Sequence, residues 1–237
     1  MPIDTRFRSN APELMDDFEM KGEILRDALD KIASINRLLG GNKVTLDGVK
    51  TLLRGKPKTQ LVRIIDIGCG NGDMLRTLAD YAQRNNLNFR LVGIDANQFT
   101  IDHAKHLSGR YSNITYECRD IFDHPTTEEF FDIFICTLTL HHFKDEEIAV
   151  LLDGLKSSSK IGIVINDLER SALAYRLFKA LCFVFGLNYM SREDGLVSIL
   201  RGFKREDLEK FAKRLNINHS SIKWKWAFRY QWIIKTL

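Results

Sequence analysis

The chain has 237 residues, 44% of them hydrophobic and 28% charged. That balance fits one large globular domain, or a domain with an appendage, and excludes collagen-like, disordered and coiled-coil classes. Its 35 Lys/Arg against 31 Asp/Glu leave a formal charge of +4, too mild to predict a nucleic-acid partner. The charge is uneven: residues 201–237 hold ten basic and three acidic residues, or +7, leaving −3 for the first 200.

Cys69, Cys118, Cys136 and Cys182 show no C-x-x-C spacing, so no zinc site, other metal site or disulfide scaffold is predicted. They sit in apolar or glycine-rich segments, where a reduced thiol behaves as a small hydrophobe. No apolar signal-type segment opens the chain. The longest uncharged and mostly apolar run, residues 180–191, is 12 residues, too short to cross a bilayer. A soluble, cytoplasmic protein is expected.

In chain order, apolar residues at helical spacing run from Phe18 to Leu39 and stop at Gly40-Gly41. A short helix is expected from about Leu46 to Leu53, capped by Thr45. Residues 1–56 thus read as a helical N-terminal extension or lid, and 57–237 as the main domain. The period then changes. LVRIIDI (61–67), FRLVGID (89–95), ITYECRD (114–120), FDIFICTL (131–138) and KIGIVIND (160–167) have the near-continuous apolar character of parallel strands covered on both faces. Helical stretches 73–85, 97–108 and 144–156 lie between them. This alternation predicts an α/β, doubly wound sheet.

After the fifth strand a helical insertion at about 171–202 is expected, with helices over 171–186 and 192–200, followed by an amphipathic helix over 204–215. The first of these helices is apolar around most of its circumference, so part of it faces the core or, alternatively, a lipophilic ligand. At the end Ile222, Trp224, Trp226, Phe228, Tyr230, Trp232 and Ile234 alternate with mostly polar residues. They are read as two antiparallel strands breaking near Ala227–Phe228.

IIDIGCGNGD (64–73) ends the first strand and opens a helix. Gly68, Gly70 and Gly72 allow a tight turn and close approach of a ligand. The spacing is G-x-G-x-G, with Asp66 before the loop and Asp73 after it. Carboxylates there repel a pyrophosphate but suit S-adenosylmethionine, which carries a sulfonium and an ammonium. Asp95 ends the second strand, where an acid can accept both ribose hydroxyls. Asp120 ends the third, where its carboxylate can accept the adenine amino group while the Ile121 amide donates to the ring.

DIGCGNGD, GID, RDIF and FDIFICTLTLHHF resemble the successive signature segments of class I S-adenosylmethionine-dependent methyltransferases. The resemblance is strong over roughly residues 55–170. It implies a Rossmann-like, seven-stranded, mostly parallel sheet with an antiparallel C-terminal strand, S-adenosylmethionine as cofactor and S-adenosylhomocysteine as product. By it, Asp66, Gly68 and Gly70 hold the methionine end, Asp95 the ribose, and Asp120 with Ile121 the adenine. Ala96 completes the cofactor-binding set.

TLTLHHF places His141 and His142 after the fourth strand, and Asp167 follows the fifth. A histidine oriented by a carboxylate is a general-base arrangement. The pair is similar to that of natural-product and quinone-pathway O-methyltransferases, which selects His141 and Asp167 as catalytic; the alternative is a doublet that packs on the cofactor. The fourth strand lacks the Asn/Asp-Pro-Pro-aromatic segment of enzymes that methylate base amino groups, so no nucleic-acid partner is expected. Lys204, Lys210, Lys213, Lys223, Lys225 and Arg229 read as a solvated face, and Trp224, Trp226 and Trp232 as sheet core. The expected acceptor is a hydroxyl of a lipophilic or phenolic small molecule, with peripheral membrane contact compatible. A C-methyltransferase of a quinone precursor and an RNA-binding methyltransferase are the competing readings. No feature sets an oligomeric state.

Overall fold

The structure is a computed structural model that describes residues 3–122 and 130–236. The apolar runs become strands β1 (Leu61–Ile67), β2 (Asn88–Asp95), β3 (Ile114–Cys118), β4 (Phe131–Thr137) and β5 (Ser159–Leu168). The closing alternation becomes β6 (Ser220–Lys225) and β7 (Arg229–Lys235). One seven-stranded sheet results, in the order β3-β2-β1-β4-β5-β7-β6. β1 to β5 pair in parallel, whereas β7 lies antiparallel between β5 and β6. The strand order reverses between β1 and β4, which opens a crevice at their carboxyl ends where sheets of this kind take ligands.

The helices are α1 (Glu23–Leu38), α2 (Gly41–Leu52), α3 (Asp73–Asn85), α4 (Gln98–Leu107), α5 (Asp145–Ser158), α6 (Ala172–Val184), α7 (Tyr189–Arg201) and α8 (Arg205–Arg214). Successive residues of a strand point to opposite faces, so β1 feeds two cores. Ile65 and Ile67 pack with Phe134, Leu152, Ile163, Phe211 and Trp232 under α5 and α8. Ile64 packs with Val49, Leu52, Leu75, Leu78, Ile133 and Val164 under α2 and α3.

β1 and α3 fall where the apolar runs place them, and the other parallel strands and their helices agree within two residues. Four expectations need correction. α1 starts at Glu23, after Gly22 with φ +102°, although it ends at Leu38, just before Gly40-Gly41 as expected. Gly40 turns left-handed at φ +77° and α2 begins at once, so Thr45 is a buried helix residue bonded to Thr137 (2.9 Å) and no cap. α6 leaves both cores: Leu173, Leu177, Phe183 and Val184 are exposed, while Ala174, Leu177, Phe178 and Leu181 line a cavity. Cys118 is exposed.

The C-terminal hairpin breaks at Ala227–Phe228, with Phe228 at φ +53°. Of the three tryptophans only Trp232 is core, at 0% exposure, beside buried Tyr230; Trp224 and Trp226 are 47% and 64% exposed. Trp232→Ala should therefore cost about 3–5 kcal/mol in chemical denaturation, the scale of an emptied core site. Trp224→Ala should cost less than about 1 kcal/mol, as a surface change. Equal losses would contradict this register.

Candidate active site

A cavity of about 1320 Å³ opens over the carboxyl ends of β1, β2, β4 and β5. That exceeds the space most single small ligands occupy, so it has room for a cofactor and an acceptor together. Asp66, Gly68, Gly70, Asp95, Ala96, Asp120, Ile121 and His141 all line it. The sequence-predicted residues therefore meet in one place, with Asp167 immediately behind His141.

On the cofactor side, Gly68 has φ +66°, and a Cβ there would lie 2.3 Å from the Thr139 side chain, so only glycine fits. The Gly70 amide donates to Asp95 Oδ2 and the Asn97 amide to Oδ1, each at 3.1 Å. These bonds aim the Asp95 carboxylate while leaving lone pairs for further donors. Asp66 is 1% exposed and its Oδ1 has no hydrogen-bond partner among the described residues. Burial, and then the nearby charge of Asp95, pushes its carboxyl well above the usual range. An acid held this way suits a ligand group that donates hydrogen bonds or carries positive charge. Asp120 accepts from the Phe122 amide at 2.9 Å beside buried Ile121. Asp73 plays another part: Arg37 pairs with it and Asn42 donates to it at 2.6 Å, so it ties α1 and α2 to the loop.

On the opposite side, His141 and His142 sit in a 3-10 turn, Leu140–His142, after β4. His141 Nδ1 lies 2.6 Å from Asp167 Oδ1, and its amide donates to Oδ2 at 3.2 Å. Both residues are buried. Burial works to raise the Asp167 carboxyl, but the charge and hydrogen bond of His141 outweigh it and hold it below the usual range. A carboxylate only accepts, so Nδ1 donates to it, and in the neutral ring Nε2 then presents the lone pair. That Nε2 has no hydrogen-bond partner among the described residues. His142 Nδ1 lies 2.7 Å from Asp16 Oδ1, giving the second ring the same polarity.

Glu13 was not apparent from the sequence. It precedes a 3-10 turn, Leu14–Asp16, whose amides at Leu14 and Met15 donate to Asp194 at 2.7 and 3.0 Å. Glu13 Oε2 accepts from Ser198 at 2.8 Å, while Oε1 has no hydrogen bond among the described residues and lies 3.7 Å from Arg201 Nη1 and 3.8 Å from His141 Nε2. Burial pushes its carboxyl up to about 7. Arg201 donates to the His141 and His142 carbonyls and, at 2.7 Å, to Asp16. Glu13, His141 and His142 each bring one ligand atom within 4.8 Å of the others, a grouping able to hold a small cation. Nothing local marks Glu13, Asp16, Ser198 or Arg201, because tertiary packing alone brings them to the doublet. The basic tail is also corrected: Arg229 is buried in the site and takes no part in a solvated face, and Arg201 is buried there too.

Residues 64–162 match the family model described as a methyltransferase domain. The chain is 30% identical over 117 residues to a protein named orotate phosphoribosyltransferase from Caldicellulosiruptor bescii, covering 49% of this chain. It spans about half the length of that curated relative, 52%. Among solved structures it is similar to the plantazolicin methyltransferase BpumL in complex with SAH, with TM-score 0.66 at 15% identity over 90% of this chain and 94% of that one. It is similar also to magnesium protoporphyrin IX methyltransferase from Synechocystis PCC 6803 with bound SAM, with TM-score 0.55 at 16% identity over 93% and 88%. CurJ carbon methyltransferase gives 0.60 at 14% over 81% and 54%. At these identities the likeness establishes a shared fold.

The buried acid predicts a pH signature. Glu13 keeps its proton in the fold up to about pH 7, whereas the unfolded chain loses it near the ordinary glutamate value. Its contribution to stability is therefore present in full below about pH 4 and is lost as pH rises through about 7. Glu13→Gln should gain stability relative to the native protein between pH 5 and pH 8, on the order of 1–3 kcal/mol. Paired denaturation curves with a pH-independent difference would contradict the burial.

Proposed function

We propose, for a chain whose residues 64–162 match the methyltransferase domain model and whose fold is similar to that of solved methyltransferases, that it transfers a methyl group from S-adenosylmethionine to a hydroxyl of an apolar, aromatic small molecule. The observation that carries this reading is one shared cavity, with an unpartnered buried acid beside a glycine loop on one side and a carboxylate-oriented histidine on the other. When bound, the cofactor supplies a methyl group on a sulfonium, a good leaving group that needs no acid.

The fit of the residues supports it. Asp66 offers its free oxygen to the ammonium and sulfonium end, and the bare backbone at Gly68 and Gly70 lets that end approach. Asp95, aimed by two amides, accepts from the ribose; Asp120, Ile121 and Ala96 border the adenine. His141 Nε2 accepts the proton of the acceptor hydroxyl, and Asp167 stabilises the resulting imidazolium. Glu13 Oε1 faces the same point and positions the hydroxyl. Leu177, Phe178 and Leu181 of α6 give the acceptor an apolar wall.

A carbon acceptor activated by a neighbouring hydroxyl would use the same base, and product regiochemistry separates the two. A phosphoribosyl transferase reading is disfavoured, because the glycine loop faces Asp66 where a pyrophosphate needs positive charge. An RNA-binding reading is disfavoured because Arg201 and Arg229 turn inward.

Calorimetry should show S-adenosylhomocysteine binding and no NAD binding, and the reverse would overturn the reading. Asp95→Ala should weaken the former by about 1.5–3 kcal/mol. His141→Ala should lower kcat by about 10²–10⁴-fold with little change in cofactor affinity. Asp167→Asn should lose less, and the double variant should lose little more than His141→Ala alone, as for groups acting as a unit. A near-normal kcat in His141→Ala would remove the general base from the mechanism.

A further inference from the structure

A second charged element of the cavity wall is left unused by this chemistry. Arg229 opens β7, lines the cavity and is 3% exposed. Its Nε and Nη1 are buried without a hydrogen-bond partner, and it has no ion-pair partner among the described residues. Asp167 acts on it only at a distance and is already bonded to His141 and the Leu168 amide. Burial accordingly pushes the guanidinium down to about 10. A buried arginine without a counter-charge is costly, and arginine is the side chain whose planar fork matches a carboxylate.

The place it occupies is equally specific. The guanidinium carbon lies 3.0 Å from where a Cβ on Gly41 would stand. Gly41 is the first residue of α2, a 12-residue helix whose N-terminus has no side-chain cap. The free amides of a first helical turn carry partial positive charge and favour an anion. Asn36 Oδ1 also faces that point and lacks a partner, but a neutral amide oxygen brings no charge. The Asn36 amide, its Oδ1 1.9 Å from such a Cβ, already fills the point where helix end and guanidinium meet, so a carboxylate there takes the place of this neutral group. Asn42, the next residue, bonds Asp73 directly after the glycine loop, so this spot adjoins the proposed cofactor cradle.

We propose that the uncapped N-terminus of α2 and the guanidinium of Arg229 form a binding site for a ligand carboxylate. The carboxylate belongs either to the amino-acid end of the cofactor, which rests on the methyltransferase reading, or to the acceptor. One helix end and one arginine balance a single negative charge, which suits a carboxylate better than a phosphate dianion.

Paired ligands that differ only in the carboxylate test this on the full chain. The first pair is S-adenosylhomocysteine and its decarboxylated analogue. The second is 4-hydroxybenzoate and 4-hydroxybenzyl alcohol, titrated with S-adenosylhomocysteine present. The native protein should prefer the carboxylate member of one pair by about tenfold or more, and Arg229→Gln should erase that preference. A preference in the first pair assigns the site to the cofactor, and one in the second assigns it to the acceptor. Arg229→Lys, which keeps the charge without the fork, should show an intermediate ratio and serves if the glutamine variant does not fold. Equal binding within both pairs, or a preference that survives both substitutions, overturns the site. S-adenosylhomocysteine binding without any carboxylate preference would leave the methyltransferase reading intact. An Arg229-dependent preference for 4-hydroxybenzoate without S-adenosylhomocysteine binding would do the opposite.

Discussion

One buried carboxylate organises the His141 side of the cavity. Asp167 accepts from both the ring and the amide of His141, at 2.6 and 3.2 Å, and so joins the ends of β4 and β5. Burial alone would raise its carboxyl, and the charge and hydrogen bond of His141 outweigh that and hold it below the usual range. Because the acid stays ionised it fixes the histidine tautomer, and because the backbone is held as well, Nε2 points at one place. Remove the carboxylate, and the ring, the turn and the direction of the lone pair lose their common anchor.

The N-terminal segment completes what the sheet begins. Val49 and Leu52 of α2 share a core with Ile64 and Val164 of the sheet, so the helical prelude is packed into the sheet layer. Upstream, Arg8 donates to the carbonyls of His141 and Phe143 at 3.1 and 2.9 Å, and to the Arg201 carbonyl at 2.8 Å. Arg201 grips the same doublet from α7. The segment that delivers Glu13 is thus fastened to the histidine turn it faces, and the cavity is roofed by chain that the sheet alone lacks. On the proposed reading, such a roof would keep water from the methyl donor and favour its alignment with the acceptor.

Much of this was legible in the residues, and the reasons differ by element. β1 and α3 were readable to the residue because a buried parallel strand is continuously apolar and the glycine loop marks where it ends. His141 and Asp167 were readable because strand ends gather in space in a doubly wound sheet. The start of α2 was misplaced because two glycines read as a stop, whereas Gly40 makes a single left-handed turn between two helices. α6 was read first as core because an apolar circumference does not tell a cavity wall from an interior. Glu13, Arg201 and Arg229 left no local trace. Their partners lie far along the chain, and a buried arginine in a basic tail has the same letter as a solvated one.

The central claim is that one cavity brings a methyl donor to a hydroxyl beside His141. Incubation with methyl-labelled S-adenosylmethionine and a panel of phenolic and aliphatic hydroxyl acceptors, followed by mass-spectrometric mapping of the label, tests it most directly. The account predicts label on oxygen, dependent on the acceptor and lost in the His141→Ala variant. Label fixed on carbon or nitrogen, or transfer unchanged without the histidine, would contradict it.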